Sequence, residues 1–277
     1  MFSSSRSRSH RESFGYRAGK ATSNKKQRSF KDLNRTSRIV AQASTQGSPS
    51  SQRSQYGPAS PPLNSAIVTI CVGQAQRLFA AHEDVLSKSP YFAQACREQF
   101  FETANKRIEL TYEEPEVFSA VLEYLYKGDY TPQIGYDKKR TSFYLATNES
   151  RKSTSEVTIQ HSGYDVPILK DTAIYCAALR FSLPHLQALA LKKQGLQSGV
   201  QTSVILASAR FAYSHTPASD SSLRAHYLAL IIRSRATFKR SGTMQAEMMA
   251  GGSPLWFDLF VAMVEHLDDV AASKAKR

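Results

Sequence analysis

The composition changes abruptly near residue 63, and this change limits folding to the part of the chain that follows. Residues 1–62 are rich in Ser, Arg, Gln and Gly, carry few aliphatic side chains and end in the run GPASPP. Such a segment cannot bury enough apolar surface to offset the entropy lost on ordering. We therefore expect residues 1–62 to be a disordered basic tail, with the folded structure in residues 63–277.

The positive charge of the chain is concentrated in the same tail. Twelve Lys or Arg residues and two acidic residues lie within 1–60, which accounts for ten of the thirteen net positive charges. Three interpretations stay open: a solvated segment without a dedicated role, a nuclear-import or nucleic-acid-binding patch at Lys25, Lys26 and Arg28, or a mitochondrial presequence. We expect a protein of the nucleus, the cytoplasm or both, with nucleic acid contacted only through the tail.

The sequence lacks the patterns that are typical of enzymes, metal sites and membrane spans. Cys71, Cys96 and Cys176 are far apart and odd in number, which is typical of a reducing compartment. Together with His161 and His185 they show none of the short spacings of zinc ligands. The sequence contains no phosphate-binding glycine loop, nucleophile elbow or apolar run of about 20 residues. We expect no catalytic residues, no cofactor, no metal and no membrane partner.

The first part of the folded region alternates between strand and helix patterns. Residues 67–72, IVTICV, predict a buried strand, and residues 77–80 and 107–110 predict two more. Residues 82–88 predict a short helix with Val85 and Leu86 facing inward. A longer helix is predicted to begin at Ser89-Pro90, because Ser caps helices and Pro at the first helical position has no N–H to leave unpaired.

The clearest helix pattern covers residues 115–127. It begins with Pro115 among acidic residues, carries one wide apolar stripe, and ends at Lys127 before Gly128. Residues 129–163 are a mostly polar insert, in which 143–145 and 157–159 are predicted to pair as a small hairpin. After the insert, helices are predicted at 171–180, 184–194, 203–213 and 221–235. A last helix begins after Ser253-Pro254, with an apolar face formed by Trp256, Phe260, Met263, Val264 and Leu267.

Four stretches of the sequence, in this order, resemble the BTB/POZ family. They are VTICVG at 68–73, LFAAHEDVLSKSPYF at 78–92, RIELTYEEPEVFSAVLEYLYKGDY at 107–130 and IYCAALRFSLPHLQALA at 174–190. The resemblance implies an α+β fold over residues 63–195, in which a small β-sheet is flanked by a cluster of helices. The insert and a C-terminal helical extension at 196–277 resemble fungal-type members of the family.

The resemblance also implies a protein-interaction module that self-associates through its first strand and first two helices. The candidate dimer-interface residues are Ile67, Glu83, Val85, Leu86 and Tyr91. Many members carry an Asp and a basic residue where this chain has Ile67 and Glu83, and in repressor-type members those charges line a groove for co-repressor peptides. An Ile and an acidic residue cannot reproduce that groove, so we do not expect co-repressor binding by this route.

A second candidate contact lies shortly before the third predicted strand. Members of the family that bind cullins carry a hydrophobic residue, any residue and then Glu in this place, and this chain has Phe100, Phe101 and Glu102. An exposed aromatic beside a charge is typical of an interface hot spot. The alternative is that both Phe side chains belong to the core.

Together these patterns predict a non-enzymatic adaptor that works by binding proteins. The leading hypothesis is a BTB adaptor that recruits partners to a cullin-type ubiquitin ligase. The alternative is a nuclear scaffold or transcription-related regulator whose basic tail contacts nucleic acid.

Overall fold

A computed structural model of the chain describes residues 65–99, 107–146 and 157–275. The main sheet has three strands: β1 (Ile67–Val72), β2 (Arg77–His82) and β3 (Arg107–Leu110). β1 lies in the centre, antiparallel to β2 and parallel to β3. Val68, Ile70, Cys71 and Val72 are buried, as expected for a β-branched central strand. The sequence prediction of all three strands is confirmed.

Three helices accompany this sheet, and each was predicted: α1 (Glu83–Leu86), α2 (Pro90–Gln99) and α3 (Pro115–Lys127). α3 has the predicted bounds. Gly128 follows it with φ of 76°, a left-handed conformation that glycine adopts without steric cost. The apolar stripe of α3 faces inward through Val117, Phe118, Val121 and Leu125.

The insert contains two small hairpins, and their pairing differs from the prediction. β4 (Ile134–Asp137) pairs with β5 (Ser142–Leu145), and β6 (Thr158–Ile159) pairs with β7 (Ile168–Leu169). The predicted hairpin between 143–145 and 157–159 is therefore wrong. Each strand instead pairs with one that is nearer in sequence, and a shorter loop costs less entropy to close.

The rest of the described chain is helical. The helices are α4 (Lys170–Arg180), α5 (Pro184–Gln194), α6 (Thr202–His215), α7 (Ser222–Arg233), α8 (Arg235–Phe238), α9 (Gly242–Ala250) and α10 (Leu255–Ala275). Five of these helices were predicted, although the predicted helix at 221–235 ends earlier and is followed by the separate turn α8. α9 was not predicted.

The core joins the sheet to the helices on both sides of the insert. Phe92 of α2 and Phe118 of α3 meet Phe181, which follows α4, with ring centroids 4.7 Å and 6.5 Å from the Phe181 ring. The Ser89 hydroxyl donates a hydrogen bond to the Phe181 carbonyl oxygen at 2.6 Å, across 92 residues of sequence. Leu63–Arg277 belong to one compact unit. The predicted α+β class with C-terminal helices is confirmed.

A buried polar network connects the end of α3 to α4 and α5. The Lys193 side chain is fully buried, and its ammonium lies 2.5 Å from the Asp129 carboxylate. It also donates to the carbonyl oxygens of Tyr130 and Pro132 and lies over the Tyr130 ring. The Tyr130 hydroxyl donates to Asp171 at 2.7 Å. Burial lowers the pKa of Lys193, against the opposing effect of Asp129.

Candidate protein-interaction surfaces

One candidate surface lies where β1 begins. Ile67 is 64% exposed and stands opposite His82 in the antiparallel pair of β1 and β2. The Glu83 amide donates to the Ala66 carbonyl oxygen at 2.9 Å, which holds the start of α1 beside the start of β1. The fold therefore brings Ile67 and Glu83 together at one end of the sheet.

The remaining candidate dimer residues do not join this surface. Val85 and Leu86 are fully buried, because both of these apolar side chains of the one-turn helix α1 face the core. Their assignment to a dimer interface is corrected, since a buried side chain cannot contact a partner. Tyr91 is partly exposed but packs on the rings of Phe92 and Phe181, and it lines a cleft at the far end of β1 from Ile67.

His82 supports this end of the sheet through a partner that the sequence did not indicate. The Tyr126 hydroxyl lies 2.7 Å from the His82 Nδ1 atom and accepts a hydrogen bond from the His82 amide at 3.0 Å. Tyr126 comes from the end of α3, so this contact links α3 to β2. Only tertiary structure brings these two residues together across 44 positions.

A cleft of about 640 Å³ lies at the other end of β1. Its wall includes the turn after β1, the segment from β3 to α3, the ends of α4 and α6, and the loop after β6. The lining residues include Gly73, Tyr91, Tyr112, Glu113, His161, Arg180 and His215. Gly73 has φ of 75°, and a Cβ atom there would lie 3.2 Å from the Glu113 carbonyl oxygen. A glycine at this position therefore allows the turn to pack against the cleft wall.

Charged and aromatic groups set the chemistry of the cleft. The Arg180 guanidinium contacts the buried Glu113 carboxylate at 2.6 Å and 2.7 Å. Burial raises the pKa of Glu113 despite the opposing effect of Arg180. The His215 ring stacks on Phe211 at 3.9 Å, and burial lowers the pKa of His215. The wall of the cleft is therefore formed by charged and aromatic side chains, of which Glu113 and Arg180 are paired with each other.

Comparison with protein families identifies the first part of the folded region. Residues 67–148 match the model of the BTB/POZ domain. This segment is a BTB/POZ domain. The match covers β1 to β5 and α1 to α3, and confirms the resemblance seen in the sequence. A comparison with curated proteins finds no match.

BTB/POZ domains are protein-interaction modules and are generally not enzymes, so protein binding is the function that the match indicates. In the described parts of the chain, no cluster of three His, Cys, Asp or Glu side chains is arranged to hold a metal ion. None of the described helices combines the length and apolar character needed to cross a bilayer.

Two sets of candidate residues lie outside the described residues. Phe100, Phe101 and Glu102 fall between α2, which ends at Gln99, and β3, which begins at Arg107. The basic residues Lys25, Lys26 and Arg28 precede the BTB/POZ domain in the undescribed segment. Their roles stay predictions.

A further surface lies on α10, far along the chain from the BTB/POZ domain. Leu255 and Leu259 are the buried side chains of this helix, and the Asp258 carboxylate accepts a hydrogen bond from the Tyr213 hydroxyl at 2.8 Å. Of the five residues predicted to form the apolar face, Trp256 packs partly against the core and the other four are exposed. The apolar face of α10 therefore points mostly to solvent.

Proposed function

We propose that the protein is an adaptor that links partner proteins to a cullin-type ubiquitin ligase through its BTB/POZ domain. The observation that carries the proposal is the position of Phe100, Phe101 and Glu102, between α2 and β3. The sequence resembles cullin-binding members of the family at this point. An interaction module of this kind brings two proteins together, which is the role of an adaptor.

The chemistry of this short motif suits a compact contact. An aromatic side chain that enters a pocket on a partner is desolvated completely, and such anchors contribute roughly 2 kcal/mol or more to binding. The Glu102 carboxylate beside it favours a partner with a basic group at the rim of the interface. A short segment can therefore supply both affinity and orientation.

The proposal is tested by binding of the full-length chain to an N-terminal cullin fragment. Phe100→Ala is expected to weaken binding by at least about tenfold while the free energy of unfolding stays nearly unchanged, because an exposed side chain buries little area in the free protein. Tyr144→Ala is a matched control, since Tyr144 is an aromatic that is 51% exposed on the hairpin of β4 and β5. Glu102→Ala is expected to weaken binding without affecting folding.

Two results contradict the proposal. If the wild-type protein does not bind the cullin fragment, the adaptor role is wrong, whatever the variants do. If Phe100→Ala instead costs about 3–5 kcal/mol of folding stability, the side chain belongs to the core and the motif is a coincidence.

As the alternative to the adaptor, we propose a nuclear scaffold or transcription-related regulator whose basic tail contacts nucleic acid. It is supported by the ten net positive charges of residues 1–60. Lys and Arg displace counterions from phosphates, so binding to labelled DNA or RNA is expected to fall steeply between low and physiological salt. Equal binding by the full-length chain and by a variant lacking residues 1–60 would contradict this role.

A further inference from the structure

The outer face of α10 is apolar from Phe257 to Leu267. Phe257, Phe260, Val264 and Leu267 are 71%, 66%, 41% and 63% exposed. At 3.6 residues per turn Phe257 and Val264 lie opposite the buried Leu255 and Leu259, and Phe260 and Leu267 lie beside them on one flank. The described residues of the protein therefore leave this face largely open.

The spacing of these four residues indicates what kind of surface would cover them. They follow one another at intervals of three, four and three residues, which is the a/d repeat of a coiled-coil seam. Val261, Met263 and Asp268 border the seam and are also exposed, while the acidic Asp258 and Glu265 lie away from it. A seam of this spacing receives the side chains of another α-helix between its own.

We propose that this seam is a homodimer interface in which α10 of one protomer packs antiparallel on α10 of its partner. The exposed apolar side chains of the face present roughly 500 Å² of surface. Two copies would therefore bury roughly 1,000 Å² in total, which is the lower limit for a specific interface. The seam itself carries no charge, so the same face on two copies is self-complementary.

Side-chain size favours the antiparallel orientation. With a two-fold axis near Ala262, Phe257 faces Leu267 of the partner and Phe260 faces Val264 of the partner, so each aromatic ring packs on an aliphatic side chain. A parallel pair would set each Phe against its own copy and Val264 against Val264, which packs large residues together at one end and smaller ones at the other. Antiparallel helices also align their dipoles favourably.

Two valine substitutions in the full-length chain distinguish the orientations. Around the two-fold axis, Val261 approaches its own copy on the flank of the seam, whereas Val264 is offset from its copy by about one turn. Val261→Cys is therefore expected to form a disulfide-linked dimer under mild oxidation, and Val264→Cys is not. The two valines have similar exposure, 37% and 41%, and the native Cys71, Cys96 and Cys176 are buried, so they contribute little background.

Sedimentation velocity of the full-length protein, at concentrations of about 1–100 µM, tests the interface itself. We expect a monomer–dimer equilibrium that Leu267→Asp weakens at least about tenfold, because the carboxylate would be buried in the seam. Leu78→Asp, a charge placed on β2 at a leucine that is also 63% exposed, is expected to leave the equilibrium unchanged.

Several results would overturn the proposal. If the protein stays monomeric at the highest concentration, the interface does not exist. If Ile67→Asp weakens the dimer and Leu267→Asp does not, the dimer forms through another surface. Selective crosslinking of Val264→Cys would show a parallel pair. Flotation with phosphatidylcholine vesicles that Leu267→Asp abolishes would show that a lipid surface covers the seam.

Discussion

Removing the Lys193 ammonium is expected to destabilise the fold more than any change at the neighbouring Lys192. Lys193→Met keeps a side chain of similar length but removes the charge that contacts Asp129 at 2.5 Å and the carbonyl oxygens of Tyr130 and Pro132. Those three acceptors would then lose a donor in a region that water reaches only from one side, since the Asp129 side chain is 25% exposed.

The expected loss is about 3 kcal/mol of unfolding free energy. Breaking a buried ion pair by removing one partner costs roughly 3–5 kcal/mol, mainly because the remaining charge is left without compensation. Water at the partly exposed Asp129, and the hydrogen bonds that its carboxylate accepts from the Tyr130 and Ile134 amides, still stabilise this charge, which places the cost at the lower end of the range. The lowered pKa of Lys193 agrees with this choice, because it shows that burial already opposes the charged form.

The assay is urea-induced unfolding followed by circular dichroism, with free energies from linear extrapolation. Lys192→Met is the control: the Lys192 ammonium lies over the Phe143 ring at 3.2 Å on the protein surface, and its loss is expected to cost less than about 1 kcal/mol. Adding Asp129→Asn to Lys193→Met should recover part of the loss, because the uncompensated charge is gone. A loss below about 1 kcal/mol for Lys193→Met would refute the reasoning.

Three further changes have expected outcomes in the same unfolding assay. Gly128→Ala should cost about 1 kcal/mol, because φ of 76° is unfavourable for any residue with a Cβ atom. Phe181→Ala should cost roughly 3–5 kcal/mol, because it opens a cavity beside Phe92 and Phe118. Burial raises the pKa of Cys176 to about 12, whereas a thiol in the unfolded chain has a pKa of about 8.5. The folded chain therefore binds this proton more tightly, and the free energy of unfolding should fall as pH rises from about 9 towards 12. Cys176→Ala should make that decline shallower, and an unchanged slope would contradict the assignment.

The sequence predicted those elements whose signals are local. β1 is a run of β-branched residues, and α3 has a proline at its start, an apolar stripe and a glycine after its end, so both appear with the predicted bounds. The hairpin prediction at 143–145 was wrong because strands of only two to four residues carry too little pattern to fix their partner. α9 was missed because its sequence, GTMQAEMMA, carries no apolar stripe facing the core, and none of its residues is buried.

Side-chain exposure was harder to predict than secondary structure. The helix pattern of residues 82–88 correctly predicts Val85 and Leu86 inside, whereas their place in a dimer interface was taken from the family resemblance, which did not take their burial into account. In α10, apolar residues occur on two opposite faces, and composition alone does not say which of them packs against the fold. The contacts of His82 with Tyr126 and of Lys193 with Asp129 join residues 44 and 64 positions apart, and no local pattern encodes them.

The long-range contacts of Phe181 also set the order of events during synthesis. Phe92 and Phe118 lie within the BTB/POZ segment, but the ring that packs against both, and the carbonyl that accepts the Ser89 hydrogen bond, arrive with residue 181. At translation rates of roughly 5–20 residues per second, the 92 residues between Ser89 and Phe181 take about 5–20 seconds to make. During that interval Phe92 and Phe118 can contact each other but lack the ring that completes their packing. We expect such a chain to present apolar surface to ribosome-associated chaperones until Phe181 has left the exit tunnel.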